Sequence, residues 1–188
     1  MIRIILLLLI LSAALWWIFW NYFDTYHLVT VRDGILYRDG VRSLHQFDLA
    51  VRKTRVKTVV CLLDDQEILQ PVFTEEVAYC QSRNIAVMRI PITLGGWPDG
   101  DQVSRFLAIV ADPSRQPVLV HCAQGVRRTG MMIAAYQISV LHMDKNQAIA
   151  NIRSFGHSQR TVDDVQRFIE VYDPVTQRMT QQLQASQE

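Results

Sequence analysis

The sequence predicts an α/β fold: a central, mostly parallel sheet of four to five strands flanked by helices, preceded by one N-terminal transmembrane helix. Three observations predict it. Apolar, strand-like runs at 57–63, 85–90 and 117–121 alternate with helical patterns near 43–54, 73–83 and 101–111. Such alternation builds a sheet covered on both faces. Asp33-Gly34 lies between Val29-Thr-Val31 and Ile35-Leu-Tyr37, a hairpin signal. Finally, Ile4 to Phe23 is apolar apart from Ser12 and Asn21, a stretch long enough to cross a bilayer.

Taken in order, residues 1–23 read as a membrane anchor, or as a signal segment that is not cleaved. Trp16, Trp17, Trp20 and Tyr22 gather at its end, where interfacial aromatics belong. Ser12-Ala-Ala14 offers a cleavage site, but apolar residues continue well beyond it, which favours the anchor. Arg3 before the span and Asp24 after it predict a single-pass protein with its folded domain on the outer, extracytoplasmic side. Residues 24–30 form a linker, 31–173 the folded domain, and 174–188 a mobile, Gln-rich tail. Within the domain, Val103, Phe106, Leu107 and Val110 share one face of the 101–111 helix. Three more helices follow. The first, near 128–142, buries Met132, Ala135, Tyr136 and Val140. The second starts at the capping sequence Asp144-Lys-Asn-Gln147 and buries Ile149, Ile152 and Phe155. The third runs from Thr161 to Tyr172, with Val165, Phe168, Ile169 and Tyr172 inward.

The 188 residues carry a net charge of +1, which gives no reason to expect a nucleic-acid partner. There are three cysteines, without disulfide or metal-ligand spacing. Cys61, in an apolar strand, and Cys80, in a helical pattern, read as buried packing residues. Neither a metal nor another cofactor is called for.

The third cysteine has a different setting. Val118-Leu-Val-His-Cys-Ala-Gln-Gly-Val-Arg-Arg-Thr-Gly130 places Cys122 at a strand end, followed by a glycine-containing loop and the start of a helix. Converging backbone N–H groups and a helix N-terminus both favour an anion there, so the thiol can ionise and act as a nucleophile. The N–H groups of Ala123, Gln124, Gly125, Val126, Arg127 and Arg128, curled inward, can hold the non-bridging oxygens of a phosphate, and Gly125 allows the curl. Arg128 supplies a planar fork for two of those oxygens. Thr129 can donate its hydroxyl to the Cys122 sulfur, while His121 orients the loop. The alternative is a buried structural cysteine, which would suit an isolated Cys better than this combination.

His-Cys-x-x-Gly-x-x-Arg-Thr-Gly resembles the signature of the cysteine-dependent protein tyrosine phosphatase superfamily. Asp33-Gly-Ile-Leu-Tyr-Arg38, Lys57-Thr-Val-Val-Cys-Leu-Leu63, Asp112 to Cys122 and Phe168-Ile-Glu-Val-Tyr-Asp173 resemble its atypical dual-specificity branch of plants, fungi and bacteria. The resemblance implies a phosphocysteine mechanism without metal, acting on phosphorylated protein or on membrane-associated phosphate.

Such chemistry also needs a proton donor. Trp97-Pro98-Asp99 resembles the acid loop of tyrosine phosphatases, and Gly95, Gly96 and Gly100 flank it as a moving loop requires. Asp99 is therefore the first candidate and Asp101 the second; Asp64 and Asp65 form a third possibility. The competing reading is that Pro98-Asp99-Gly100 is a turn and that Asp99 or Asp101 caps the next helix. On substrate, Arg127 alone adds charge to the loop, with Arg153 and Arg160 as outlying cations. Relatives acting on inositol phosphates resemble a more basic loop. The sequence thus points first to phosphotyrosine or phosphoprotein, second to a phospholipid or inositol phosphate, and third to a catalytically inactive phosphate-binding module.

Overall fold

The structure, a computed structural model, describes residues 2–22 and 24–174, residues 18–22 by their backbone alone. Helix α1 spans Ile2–Tyr22 and its described side chains are exposed. The expected membrane anchor is corrected here: among the described residues no helix is long and apolar enough to cross a membrane. The single-pass, outward-facing placement falls with it. Trp20 and Tyr22, read as interfacial, and the 175–188 part of the tail lie outside the described side chains.

Strands β1 (Val29–Arg32) and β2 (Leu36–Gly40) form the antiparallel hairpin read from Asp33-Gly34. The Tyr37 hydroxyl pins that turn, donating to Asp33 Oδ1 at 2.7 Å and accepting from the Gly34 amide at 2.9 Å. Strands β3 (Thr58–Cys61), β4 (Ala86–Arg89) and β5 (Val118–Cys122) complete a five-stranded sheet of order β1-β2-β5-β3-β4, parallel from β2 onward. Central β5 is buried along its whole length, which explains why Val118-Leu119-Val120 reads as an unbroken apolar run.

Successive β5 residues face opposite layers. Leu119, with Tyr37, Val59 and Cys61, meets α2 (Leu44–Thr54) and α3 (Pro71–Ser82) through Phe47, Val51, Phe73 and Cys80. Val118 and Val120 meet α4 (Gly100–Ala111), α5 (Arg127–Ser139), α6 (Lys145–Ala150) and α7 (Gln159–Val171). Helix α5 is buried on every side from Arg128 to Tyr136, so it is the central helix of that layer. Removing the buried Met132 side chain by an alanine substitution should cost about 2–5 kcal/mol.

Two expectations shift at the far end. Helix α5 stops at Ser139, leaving Val140 39% exposed instead of buried. Helix α6 stops at Ala150, so Phe155 sits in a loop with φ 49°. Asp144 does cap α6, accepting from the Gln147 amide at 2.9 Å.

Candidate active site

Parallel β5 ends at Cys122, and α5 begins five residues later, so the chain reverses through the 123–126 loop at the carboxyl edge of the sheet. The carbonyls of this loop are turned outward onto donors. Ala123 O accepts from the Val41 amide at 2.9 Å and Val126 O from the Gly130 amide at 2.9 Å. Gln124 O accepts from the His27 ring at 2.8 Å, and Gly125 O from Arg38 Nη2 at 2.6 Å. The Gly125 and Thr129 amides are directed to the Cys122 sulfur.

Gly125 is irreplaceable on two counts. Its φ is +67°, and a Cβ there would lie 2.1 Å from the Asp39 carbonyl oxygen. Gly40 returns the contact, since a Cβ on it would lie 2.6 Å from the Gln124 carbonyl group. The end of β2 and the loop therefore touch backbone to backbone.

Cys122 is 3% exposed. Burial opposes its ionisation, but the Arg128 charge, the Thr129 hydroxyl and the two amides outweigh burial and hold the thiol below its ordinary value. Thr129 Oγ1 is buried and has no other hydrogen-bond partner among the described residues. Arg128, 4% exposed, is gripped from behind: Nη1 and Nη2 donate to Glu67 Oε2 and Oε1 at 2.5 and 2.8 Å, and Nη1 also donates to Ile92 O at 3.1 Å. Glu67 stands in a single 3-10 turn, Glu67–Leu69. Asp64 holds that turn through Oδ1, which accepts from the Gln66 and Glu67 amides at 3.0 and 2.9 Å.

Beneath the loop, His121 is fully buried on the opposite face of the sheet. Its Nε2 lies 2.8 Å from Glu76 Oε1 of α3, and its Nδ1 lies 3.4 Å from Cys122 O. Burial disfavours the charged ring, but the Glu76 carboxylate prevails and raises the imidazole well above its usual value. Asp39 shares the pocket, and burial raises its carboxyl well above the usual range. Arg38, on β2, is also buried and brought down to about 10, chiefly by burial. Its guanidinium lies 5.4 Å from the Phe155 ring centre. Phe155 in turn stacks on His27 at 4.3 Å, which stacks on Tyr26 at 4.0 Å.

The acid candidates are placed as follows. Asp99 is the N-cap of α4 in a full capping box: Oδ1 accepts from the Gln102 amide at 2.8 Å and Gln102 Oε1 accepts from the Asp99 amide at 2.9 Å. Asp101 lies exposed in the first turn. Asp65 pairs with Arg89 at 3.0 Å. Asp64 is bonded on both oxygens, Oδ2 accepting from the Leu94 amide at 3.0 Å, and its carboxyl is lowered by the backbone bonds from Glu67 and Leu94. Arg127 does not stand free for a second phosphate. It donates to Gly95 O and Gly96 O, each at 2.7 Å, and to Asp164 of α7.

The structure thus brings together Cys122, Arg128, Thr129 and His121, and adds four groups that the motif did not announce. Arg38 stood inside a quoted segment without a role. Glu67, Glu76 and Asp164 act across long sequence separations, and no local pattern marks them.

The family model described as "DSP-PTPase phosphatase fused to NAD+ Kinase" matches residues 50–170. The chain is 27% identical over 121 residues to the dual specificity protein phosphatase TpbA of Pseudomonas aeruginosa, covering 64% of this chain and 51% of that one. To the inositol diphosphatase SIW14 of Saccharomyces cerevisiae it is 23% identical over 144 residues, covering 74% and 49%. The chain therefore spans about half the length of these curated relatives; its match to NAD kinase 2 of Arabidopsis thaliana, 40% identical, covers 28% of this chain and 5% of that protein. Among solved structures, the core catalytic domain of SIW14 with citrate superposes with a TM-score of 0.67 at 20% identity, covering 86% and 94%. TpbA superposes with a TM-score of 0.61 at 26% identity, covering 78% and 85%.

Proposed function

The chain belongs to the DSP-PTPase phosphatase family, and on that premise we propose that it is a cysteine-dependent phosphatase. It hydrolyses phosphate monoesters, with phosphotyrosine and phosphoprotein as first substrates, and its catalytic domain spans residues 31–173. One observation carries this reading: a thiol of lowered pKa lies inside a loop whose carbonyls face outward, next to an arginine fork held by Glu67.

The steps follow from those positions. The inward amides and Arg128 bind the non-bridging oxygens of the phosphate. The Cys122 thiolate attacks phosphorus, an S–P bond forms, and the ester P–O bond breaks. A carboxylic acid gives its proton to the departing oxygen. Water then attacks the phosphocysteine, its proton returns to the carboxylate, and the S–P bond breaks to release phosphate and thiolate. The Thr129 hydroxyl stabilises the sulfur in both steps.

For the acid, Asp99 is the first choice and Asp101 the second. Asp64 is less suited, because both of its oxygens already accept backbone bonds, from Gln66 and Glu67 on one side and Leu94 on the other. Asp99 has a dual position, since one oxygen caps α4. Asparagine caps as well as aspartate but carries no acidic proton. Asp99→Asn should therefore slow alkyl phosphates more than aryl phosphates while leaving the melting temperature unchanged. Wild-type rates in Asp99→Asn, with slowing in Asp101→Asn, would transfer the role to Asp101.

The overall reading is tested on the full chain with an aryl phosphate in chelator. Turnover is expected, and Cys122→Ser should abolish it. Activity surviving that substitution would sink the mechanism, and binding without turnover would favour an inactive phosphate-binding module. An inositol-phosphate or phospholipid substrate is the second reading, and the likeness to the inositol diphosphatase SIW14 supports the former. It asks for free cations around the loop, and Arg127 is already committed. Rates on a phosphotyrosine peptide and on an inositol polyphosphate separate the two.

A further inference from the structure

The segment 93–98 joins the site to α4 and closes a turn on itself, the Gly96 amide donating to Thr93 O at 2.8 Å. Gly95 has φ +83° with open space around it, and Leu94 and Trp97 are exposed. Its attachments come from three directions. The Leu94 amide reaches Asp64. The Gly95 and Gly96 carbonyls both accept from Arg127, whose guanidinium thereby spans two successive peptide groups. Trp97 Nε1 donates to Asp164 Oδ1 at 3.1 Å, and its ring meets Phe168 edge-on at 6.0 Å.

Asp164 is the point where these strands of contact converge. Its Oδ2 accepts from Arg127 Nε, and its Oδ1 accepts from both Trp97 and Arg167. Its side chain is only 15% exposed, against 22% for Arg127 and 60% for Arg167. A carboxylate in this half-enclosed position orients the Arg127 fork toward the glycine carbonyls instead of toward solvent. Arg127 immediately precedes Arg128, so the same residue ties the loop to the start of α5.

We propose that Asp164 is a positioning residue for the phosphatase reaction: through Arg127 and Trp97 it latches the 93–98 segment, which leads into Asp99, onto the phosphate loop. The inference rests on the phosphatase reading for its consequence, but the latch itself is independent of turnover. Without Asp164, Arg127 loses its orienting partner, Trp97 loses its acceptor, and Gly95-Gly96 is free to move. Asp99 keeps its capping box with Gln102, so what shifts is the segment leading into it, and with that the approach of the acid to the loop, while the thiolate and Arg128 keep their own supports. Effects on the acid step should therefore exceed effects on phosphate binding.

The test uses the full chain with Asp164→Ala, Asp164→Asn and, as a control, Arg167→Ala, which removes the other partner of Asp164 without touching the segment. Amide hydrogen exchange of residues 93–98 should accelerate at least about tenfold in Asp164→Ala and be unchanged in Arg167→Ala. Turnover of an alkyl phosphate should fall about 10–100-fold, turnover of an aryl phosphate with a good leaving group less than about threefold. Arg127→Ala should reproduce the pattern, and the double variant should add little, since two parts of one latch are not independent. If Asp164→Ala fails to fold, Asp164→Asn, which keeps the shape and loses the charge, is read in its place. Unchanged exchange in a folded variant overturns the latch whatever the activity. Equal losses on both ester types overturn its link to the acid. Accelerated exchange in a protein whose wild type turns nothing over sinks the phosphatase reading and leaves the latch standing.

Discussion

Replacing Glu67 with glutamine keeps the shape of the side chain that holds Arg128 and removes its charge. Both partners are enclosed, with side-chain exposures of 11% and 5%, and the two bonds between them measure 2.5 and 2.8 Å. Opposite unit charges about 4 Å apart attract by about 4 kcal/mol at an effective dielectric constant of about 20. Removing one partner of a buried pair costs about 3–5 kcal/mol, because the other charge stays behind. Arg128 retains the Ile92 carbonyl at 3.1 Å, and glutamine retains one acceptor, so the lower figure, about 3 kcal/mol, is expected. For a chain of this size that is a fall of about 6–12 °C in melting temperature. The fork is then free to turn, and a displacement of about 1 Å in a phosphate-gripping group costs about 100-fold in kcat/KM. Thermal melts, aryl phosphate kinetics and inhibition by vanadate check both halves. A variant that melts like the wild type and keeps kcat/KM within about threefold would refute the positioning argument. A rise in kcat/KM would show instead that Glu67 withholds Arg128 from the phosphate.

Other perturbations test the loop and its underside. Gly125→Ala should abolish turnover and vanadate binding, because a Cβ at 2.1 Å from the Asp39 carbonyl forces the loop open; a variant with normal binding would contradict the backbone contact. The thiol of Cys122 lies below its ordinary value, so the pH at which alkylation by iodoacetate reaches half its plateau rate should lie below the usual thiol pKa of about 8.5. The same shift stabilises the fold above the unfolded thiol pKa, and that share is lost as pH falls through the folded one; the melting difference between wild type and Cys122→Ser should follow that course. Glu76→Gln removes the partner that keeps His121 charged. His121 is raised, so the pair's stabilisation is full below the unfolded value of about 6.5 and is lost as pH rises through the folded value. The variant's melting deficit should shrink with rising pH, and a deficit constant with pH would show that the pair acts by packing alone.

Much of this site was legible because its chemistry is local. The residue types from His121 to Gly130 lie in one stretch, and the turn at Asp33-Gly34 and the apolar runs of β3 and β5 are short-range patterns that burial then realised. What the pattern did not reveal was commitment. Asp99 could be read as an acid or as a cap, and nothing in the sequence says whether one carboxylate serves both. Arg127 looked like a free cation because its acceptors, two carbonyls and Asp164, are brought by other segments. Glu67 lies 61 positions from Arg128, and Glu76 pairs with His121 from another helix. The shortening of α6, which sends Phe155 onto His27, reflects a stacking partner more than a hundred residues upstream. Length of apolar sequence was the least reliable guide: the stretch read as an anchor gives a helix whose described side chains are exposed, and among the described residues no helix is long and apolar enough to cross a membrane.

The contact between Gly40 and Gly125 means that the phosphate loop is not a portable cassette. Its ten-residue signature cannot be grafted onto another strand end and keep its shape, because the mould against which it is cast is the end of β2, some eighty positions earlier in the chain. A recogniser built on His121 to Gly130 alone would accept sequences in which position 40 bears a side chain and the cradle cannot close. The functional signature of this chain is better written as two separated glycines and the strand pairing that seats them back to back.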